Sequence, residues 1–255
     1  MTLEVDERRL AMLREMGFRL LPPLQAPQPE PAAPELVQQA PAPVMPRVLA
    51  AAQSAPRPVD DTPEEKSAVD ALGWDELRAA AQALSADRRL VFGSGPRPAQ
   101  WMVIGDAPGE AEEQQGQPFA GQVGKLLDNM LRAMGLDRER DVYLTNVLKC
   151  RPPGDRNPEP EELAQWEPFL RREVALVQPR MVLVMGRFAV PRVLQTQEPI
   201  GRLRGRLHAY QGVPVVVTYH PAYLLRNLPD KARAWADLCL AQAALAGTQQ
   251  AASGR

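Results

Sequence analysis

Cysteine is nearly missing from this sequence: there are two in 255 residues, Cys150 and Cys239. Two thiols cannot build a disulfide framework or fill a four-ligand metal site unaided, and a reduced cytoplasm is the simplest compartment for such a chain. The N-terminus lacks the basic region and apolar run of a signal peptide, and no stretch of about 18 apolar residues is present to span a bilayer. The expectation is a soluble, cytoplasmic protein with no membrane contact. Charge of one sign is also missing, since 30 Lys and Arg face 31 Asp and Glu for a net charge of -1. Nothing global marks a polyanion binder, so any nucleic-acid contact must come from a local patch.

Proline is what the chain has in excess, unevenly. Twelve of the 27 prolines lie between Pro22 and Pro63, in a Pro, Ala and Gln-rich stretch that cannot bury a core. Four segments follow: a short amphipathic helix in residues 1–20, a disordered linker over 21–62, one domain over 63–246 and a disordered tail over 247–255. In the first, Leu10, Met12, Leu13, Met16 and Phe18 recur among charges at roughly helical spacing, and Gly17 stands near the stop. Isolated by the linker, this helix either docks back on the core or takes a partner protein.

The domain alternates short β-rich runs with helical segments. Strands are expected at Trp101–Gly105, Val142–Val147, Met181–Met185 and Val213–Tyr219. Helices are expected at Trp74–Leu84, Gly124–Met134, Pro160–Val177, Phe188–Leu194 and Lys231–Leu245, with a helix start near Thr62. The pattern predicts an α/β fold, a three-layer sandwich around a central, mostly parallel four-stranded sheet. Ligands of such sheets bind beyond the carboxyl ends of the strands, which brings Gly105–Gly109, Asn146, Gly186–Arg187 and His220 toward one site.

His220 ends the run Val215, Val216, Val217, Thr218, and Pro221 prevents that strand from continuing. Singly, Asp106 is as well explained as a helix cap, Asn146 as a turn brace and His220 as a structural histidine. Together, an acid, a carboxamide, a cationic patch and a histidine at four strand ends make a polar cleft of the kind used for binding or catalysis. His208, away from these ends, reads as structural.

The stretches GDAPGEAEEQQGQPFAGQVGKLLD, VYLTNVLKCRPPGDRNPEPEE, MGRFA, LRGRLHAYQGVPVVVTYHPAYLLR and DKARAWADL, in this order over Val91 to Leu238, resemble the family 4 uracil-DNA glycosylases. The resemblance implies the uracil-DNA glycosylase fold and hydrolysis of the bond between uracil and deoxyribose, starting base excision repair, with the uracil flipped out of the DNA into a pocket. It implies that Phe119 stacks on the base, that Asn146 reads its edge through an amide able to donate to O4 and accept from N3–H, and that His220 stabilises charge on the leaving base. Gly105, Ala107, Pro108 and Gly109 would supply backbone amides around the base and, with Asp106, hold the attacking water. Tyr223, Leu224, Leu225 and Arg226 match the loop inserted into DNA, where apolar wedges are suited to hold a gap open; the alternative is ordinary packing against the last helix.

Two departures accompany the resemblance. Asp106 stands where the family usually has Glu, which draws the carboxylate back by about one C–C bond. The family's iron-sulfur cluster is held by four cysteines, and only Cys150, in Lys149-Cys150-Arg151-Pro152-Pro153, remains, with Trp166 near the place of the fourth. One thiolate cannot hold a cluster, so no cofactor is expected and Trp166 is expected to fill vacated volume. For DNA contact, Arg187, Arg192, Arg202, Arg204 and Arg206 face one acid, Glu198, a local net of +4 that would favour phosphates; Arg187 and Arg204 are the foremost candidates. The expected partner is uracil-containing DNA, and the protein a monomer. The alternatives are a catalytically weak or inactive relative serving as a DNA-binding or repair adaptor, and a domain for a free nucleotide, against which the lack of a standard phosphate-cradling loop weighs.

Overall fold

Residues 68–85 and 88–253 are described by the computed structural model; the amphipathic helix, the linker and the helix start at Thr62 lie outside the described residues. Within them, helix α1 (Trp74–Ser85) precedes β1 (Trp101–Gly105), α2 (Glu110–Gln115), α3 (Gly121–Ala133) and β2 (Val142–Asn146). Then come α4 (Pro160–Val177), β3 (Met181–Met185), α5 (Ala189–Leu194), α6 (Ile200–Leu203), β4 (Leu207–Tyr210), β5 (Val213–Thr218), α7 (Pro221–Leu224) and α8 (Asp230–Ser253). The last helix thus runs beyond the expected boundary at 246.

The strands form one sheet in the order β2-β1-β3-β5-β4. All pairs are parallel except β4 with β5. The four expected strands are therefore the parallel core, and a fifth, β4, is added at an edge as an antiparallel hairpin arm. It escapes a hydrophobic reading because Leu207–Tyr210 alternates exposed and half-buried, the pattern of an edge with one wet face. The glycine at its turn, Gly212, has φ +76°, which suits a tight hairpin.

Alternation along each strand divides the core in two. Met102, Ile104, Tyr143, Val182, Val184, Val215 and Val217 pack with Leu77 of α1 and with Trp166, Leu170 and Val174 of α4. Val103, Leu144, Leu183 and Val216 face the opposite layer of Leu127, Met130 and Leu131 from α3 and Leu238 from α8. Parallel strands covered on both faces carry apolar side chains at both parities, which is why Met181–Met185 reads as a continuous apolar run. Helix α4 begins with Pro160 at its first position, and the Glu162 carboxylate accepts the Glu159 N–H at 3.1 Å, closing the helix start.

Two buried features lie behind the β2 end. The Glu173 carboxylate accepts from Tyr143 Oη (3.1 Å), Thr145 Oγ1 (2.9 Å) and Lys149 Nζ, and Lys149 also donates to the Asn146 carbonyl at 2.9 Å. Burial pushes the Lys149 ammonium down and Glu173 opposes that shift. Trp166 is wholly buried with its ring centroid 5.1 Å from that of Phe169, in the same cluster as Cys150. Trp166→Ala should destabilise the fold by about 3–5 kcal/mol through lost burial and a residual cavity, measured as a drop in the denaturant midpoint with unchanged slope.

Candidate active site

Four strand ends deliver the site. Asp106 directly follows β1, Asn146 closes β2, Gly186 follows β3 and His220 stands two residues after β5. Asp106, Gly186, Arg187, Ile200, Tyr219, His220, Ala222, Tyr223 and Arg226 line a cleft of about 570 Å³. Phe119 and Asn146 do not line it. They are buried beneath, Phe119 with its ring 5.5 Å from that of His220 at an interplanar angle of 25°. Gly105 sits against both, and a Cβ there would collide with Asn146 Oδ1 and the Phe119 ring, so glycine is required by this close approach.

His220 caps the single turn of α7. Its Nδ1 accepts the Ala222 N–H at 3.2 Å, which leaves the proton of the neutral ring on Nε2. Burial lowers its pKa to about 4, because the charged imidazolium would lose its hydration. At neutral pH the ring is a neutral donor. Asp106 carries the opposite shift, raised to about 6, chiefly by burial and opposed by three backbone amides. Its Oδ1 accepts from Phe188 N (2.9 Å) and Ala189 N (2.8 Å) and its Oδ2 from Arg187 N (3.2 Å). Asp106 thus caps a helix, although not the one after Ala-Pro-Gly: it meets the first amides of α5, which follows the neighbouring strand β3; one acceptor position on Oδ2 is left over.

Glu112, which sequence reasoning passed over, joins the parts. Its Oε1 accepts from Phe119 N (2.6 Å) and Asn146 Nδ2 (3.0 Å), and its Oε2 from Gly109 N (2.7 Å). Burial raises its pKa and these three donors oppose the rise. The ionised carboxylate, which is acceptor only, serves all three N–H groups. Arg138 adds bonds to the Pro118 and Phe119 carbonyls at 2.6 and 3.0 Å, and together they hold Phe119 at φ +52°, a conformation that costs a non-glycine residue about 1 kcal/mol or more. The signal for Glu112 was present as a second acid in the GEAEE run; its role depends on a fold-back onto residue 119 that spacing does not reveal.

Among the expected DNA-contacting residues, two are corrected. Leu224 is 0% exposed and packs in the core shared with α3 and α8; one turn of helix after His220 points it inward, so it is no wedge. Leu225 (41% exposed) and Leu228 (54%) are the apolar side chains that project. Arg204 is not a free cation, because Nη2 lies 2.7 Å from the buried Asp237 carboxylate and the guanidinium covers the Tyr219 ring at 4.9 Å. Glu198, the acid already counted, pairs with Arg206, and two acids remote in sequence, Glu167 and Asp237, pair with Arg192 and Arg204, so the local net of +4 is halved. Arg187 and Arg226 line the cleft; the first donates to Asn157 Oδ1 at 2.5 Å, and the second has no side-chain partner among the described residues. Tyr223 lies tilted by 30° against Tyr219 with centroids 5.0 Å apart and donates its hydroxyl to Asp230 at 2.6 Å. His208 Nε2 meets the Leu203 carbonyl at 2.7 Å, as a structural histidine should.

The sequence model of the Uracil DNA glycosylase superfamily matches residues 92–240, more than half of the chain. The chain belongs to the uracil DNA glycosylase superfamily. Within the superfamily it is 38% identical over 151 residues to a type-4 uracil-DNA glycosylase of Saccharolobus solfataricus, covering 56% of this chain and 69% of that one. It is 40% identical to one of Archaeoglobus fulgidus (53% and 71% covered) and 38% identical to one of Thermotoga maritima (56% and 76%). The iron-sulfur cluster associated with the type-4 branch does not fit the residues here. Cys150 is buried beside Trp166 in an apolar cluster and burial pushes its thiol up, away from the thiolate a metal needs. Arg88 and Arg156 converge on Glu162 at 3.2 and 2.8 Å in the same neighbourhood, and among the described residues no three His, Cys, Asp or Glu side chains gather to hold a metal.

The proton assignment at His220 has a direct consequence. Its imidazole resonances should stay those of the Nε2–H tautomer through neutral pH and titrate only near pH 4, and Nδ1 should show the shift of a hydrogen-bonded acceptor. Nitrogen-detected NMR checks both.

Proposed function

We propose that the chain excises uracil from DNA by hydrolysing its N-glycosidic bond, so starting base excision repair. The observation that carries this reading is a neutral His220, Nε2–H unused, lying over Phe119 beside Asn146, whose buried Oδ1 has no partner. A flipped uracil stacked on Phe119 brings its N3–H to Asn146 Oδ1 and its O2 to His220 Nε2–H. As the C1′–N1 bond breaks, its electron pair moves onto the base and the hydrogen bond from His220 strengthens with the developing charge. A water oxygen then bonds to C1′ and passes one proton to the Asp106 carboxylate, while the base departs as the anion. Asp106, ionised above about pH 6, offers the remaining acceptor position on Oδ2 to that water. Phe119 and Asn146 expose almost no surface to the cleft, so the site must open for the base to reach them.

Leu225 and Leu228 act as the wedge in the gap left by the base, with Arg187 and Arg226 at the phosphates. The protein is read as a cytoplasmic monomer, with its N-terminal segment, residues 1–20, as a handle for a partner protein and DNA as its substrate; no described helix is long and apolar enough to cross a membrane. An adaptor without activity is the weaker reading, because the relatives are named glycosylases. We further read the chain as working without an iron-sulfur cluster, the Trp166 and Glu162 groupings taking its volume.

Purified protein should release uracil from a uracil-containing oligonucleotide, and His220→Ala or Asn146→Ala should slow release by about 10²- to 10³-fold. No release from single- or double-stranded substrate would overturn the enzyme reading. Anaerobically prepared protein should be colourless with far less than one iron per chain by elemental analysis; a brown preparation with stoichiometric iron would refute the cluster-free reading.

A further inference from the structure

We propose that Glu112 is the positioning residue that selects the base: its carboxylate fixes the Asn146 amide so that Oδ1, and not Nδ2, meets the base edge. This rests on the glycosylase reading and extends it to a residue that does not touch substrate. Asn146 has little freedom other than the flip of its amide. Its backbone carbonyl is bonded by Lys149 at 2.9 Å, and the next amide, Val147 N, donates to Gly105 O at 2.9 Å. The two ends of an amide are of nearly equal size, so only hydrogen bonding decides which way it points. Glu112 Oε1 decides it by accepting Nδ2 at 3.0 Å. The opposite end, Oδ1, is left buried without a partner, against Gly105 where no Cβ fits.

That orientation is a statement about bases. Uracil offers a donor at N3 beside the O4 acceptor, and the unpartnered Oδ1 pairs with N3–H while the second Nδ2 hydrogen is left for O4. Cytosine offers a bare N3 beside an amino group, which sets two acceptors and two donors face to face. A site built to pair a polar group rejects the analogue that leaves it unpaired by far more than shape alone achieves. Glu112 thus links three functions through one carboxylate: it holds the stacking ring through Phe119 N, the loop through Gly109 N and the amide sense through Asn146 Nδ2.

The test compares excision from two single-stranded oligonucleotides, one carrying uracil and the other cytosine at the target position, by wild type, Glu112→Gln and Glu112→Asp. Glutamine keeps the volume but presents a donor that can turn the Asn146 amide over; aspartate stays acceptor-only and gives the amide no reason to flip. Glu112→Gln should lose about 10²-fold in uracil release and narrow the uracil-to-cytosine ratio by about tenfold or more, whereas Glu112→Asp should lose rate with its ratio kept. In an Asn146→Ala background, Glu112→Gln should leave the ratio where it is. Thermal unfolding is followed for each variant. An unchanged ratio in Glu112→Gln, equal narrowing in Glu112→Asp, or unfolding of the isosteric Gln variant at assay temperature would overturn the inference in favour of a purely structural role. A wild type that releases no uracil would instead refute the glycosylase reading.

Discussion

The buried pair of Lys149 and Glu173 is the interaction on which the site rests. Both side chains are fully enclosed, and two charges taken from water are compensated only when every remaining donor and acceptor is met. Here Tyr143, Thr145 and the Asn146 carbonyl meet them, tying the end of β2 to helix α4. Removing one partner of such a pair typically costs about 3–5 kcal/mol, since it strands the other charge. The pair fixes the peptide that carries Asn146, and Glu112 approaches the same residue from the other side, so the carboxamide is held at its backbone by one acid network and at its side chain by another.

Electrostatics at the cleft follow from what the fold brings together rather than from local sequence counts. Five arginines within twenty residues look like a phosphate-binding stripe, yet Asp237, Glu167 and Glu198 pair with three of them. At the cleft itself the cations are Arg187, one of the five, and Arg226. A cationic rim around a neutral, desolvated histidine divides the labour: charge attracts the backbone, while the leaving base meets a donor that needs no proton from solution.

The parallel core was legible because the sequence states it twice. Val215–Thr218 and Met181–Met185 are apolar at both parities, and strands covered on both faces require that. Asp106, Asn146 and His220 were legible because strand ends in such sheets converge. Strand β4 was not, because an edge strand with half-exposed residues has no strong periodicity. Glu112 and Arg138 escaped because their partners, the Phe119 amide and the Pro118 and Phe119 carbonyls, are backbone groups, which a sequence does not display. Leu224 was misassigned because a run of two leucines does not say which one the next helical turn buries.

That single turn carries a consequence for how the chain tolerates change. Helix α7 assigns neighbours Leu224 and Leu225 to opposite media, one to the core and the other to solvent, with His220 as the fixed start of the count. The distance from His220 therefore acts as a reading frame. Deleting one residue between Pro221 and Leu224 would exchange the two leucines' environments, and inserting one would carry both to exposed positions, with the histidine intact in either case, so this segment should accept substitutions more readily than changes of length.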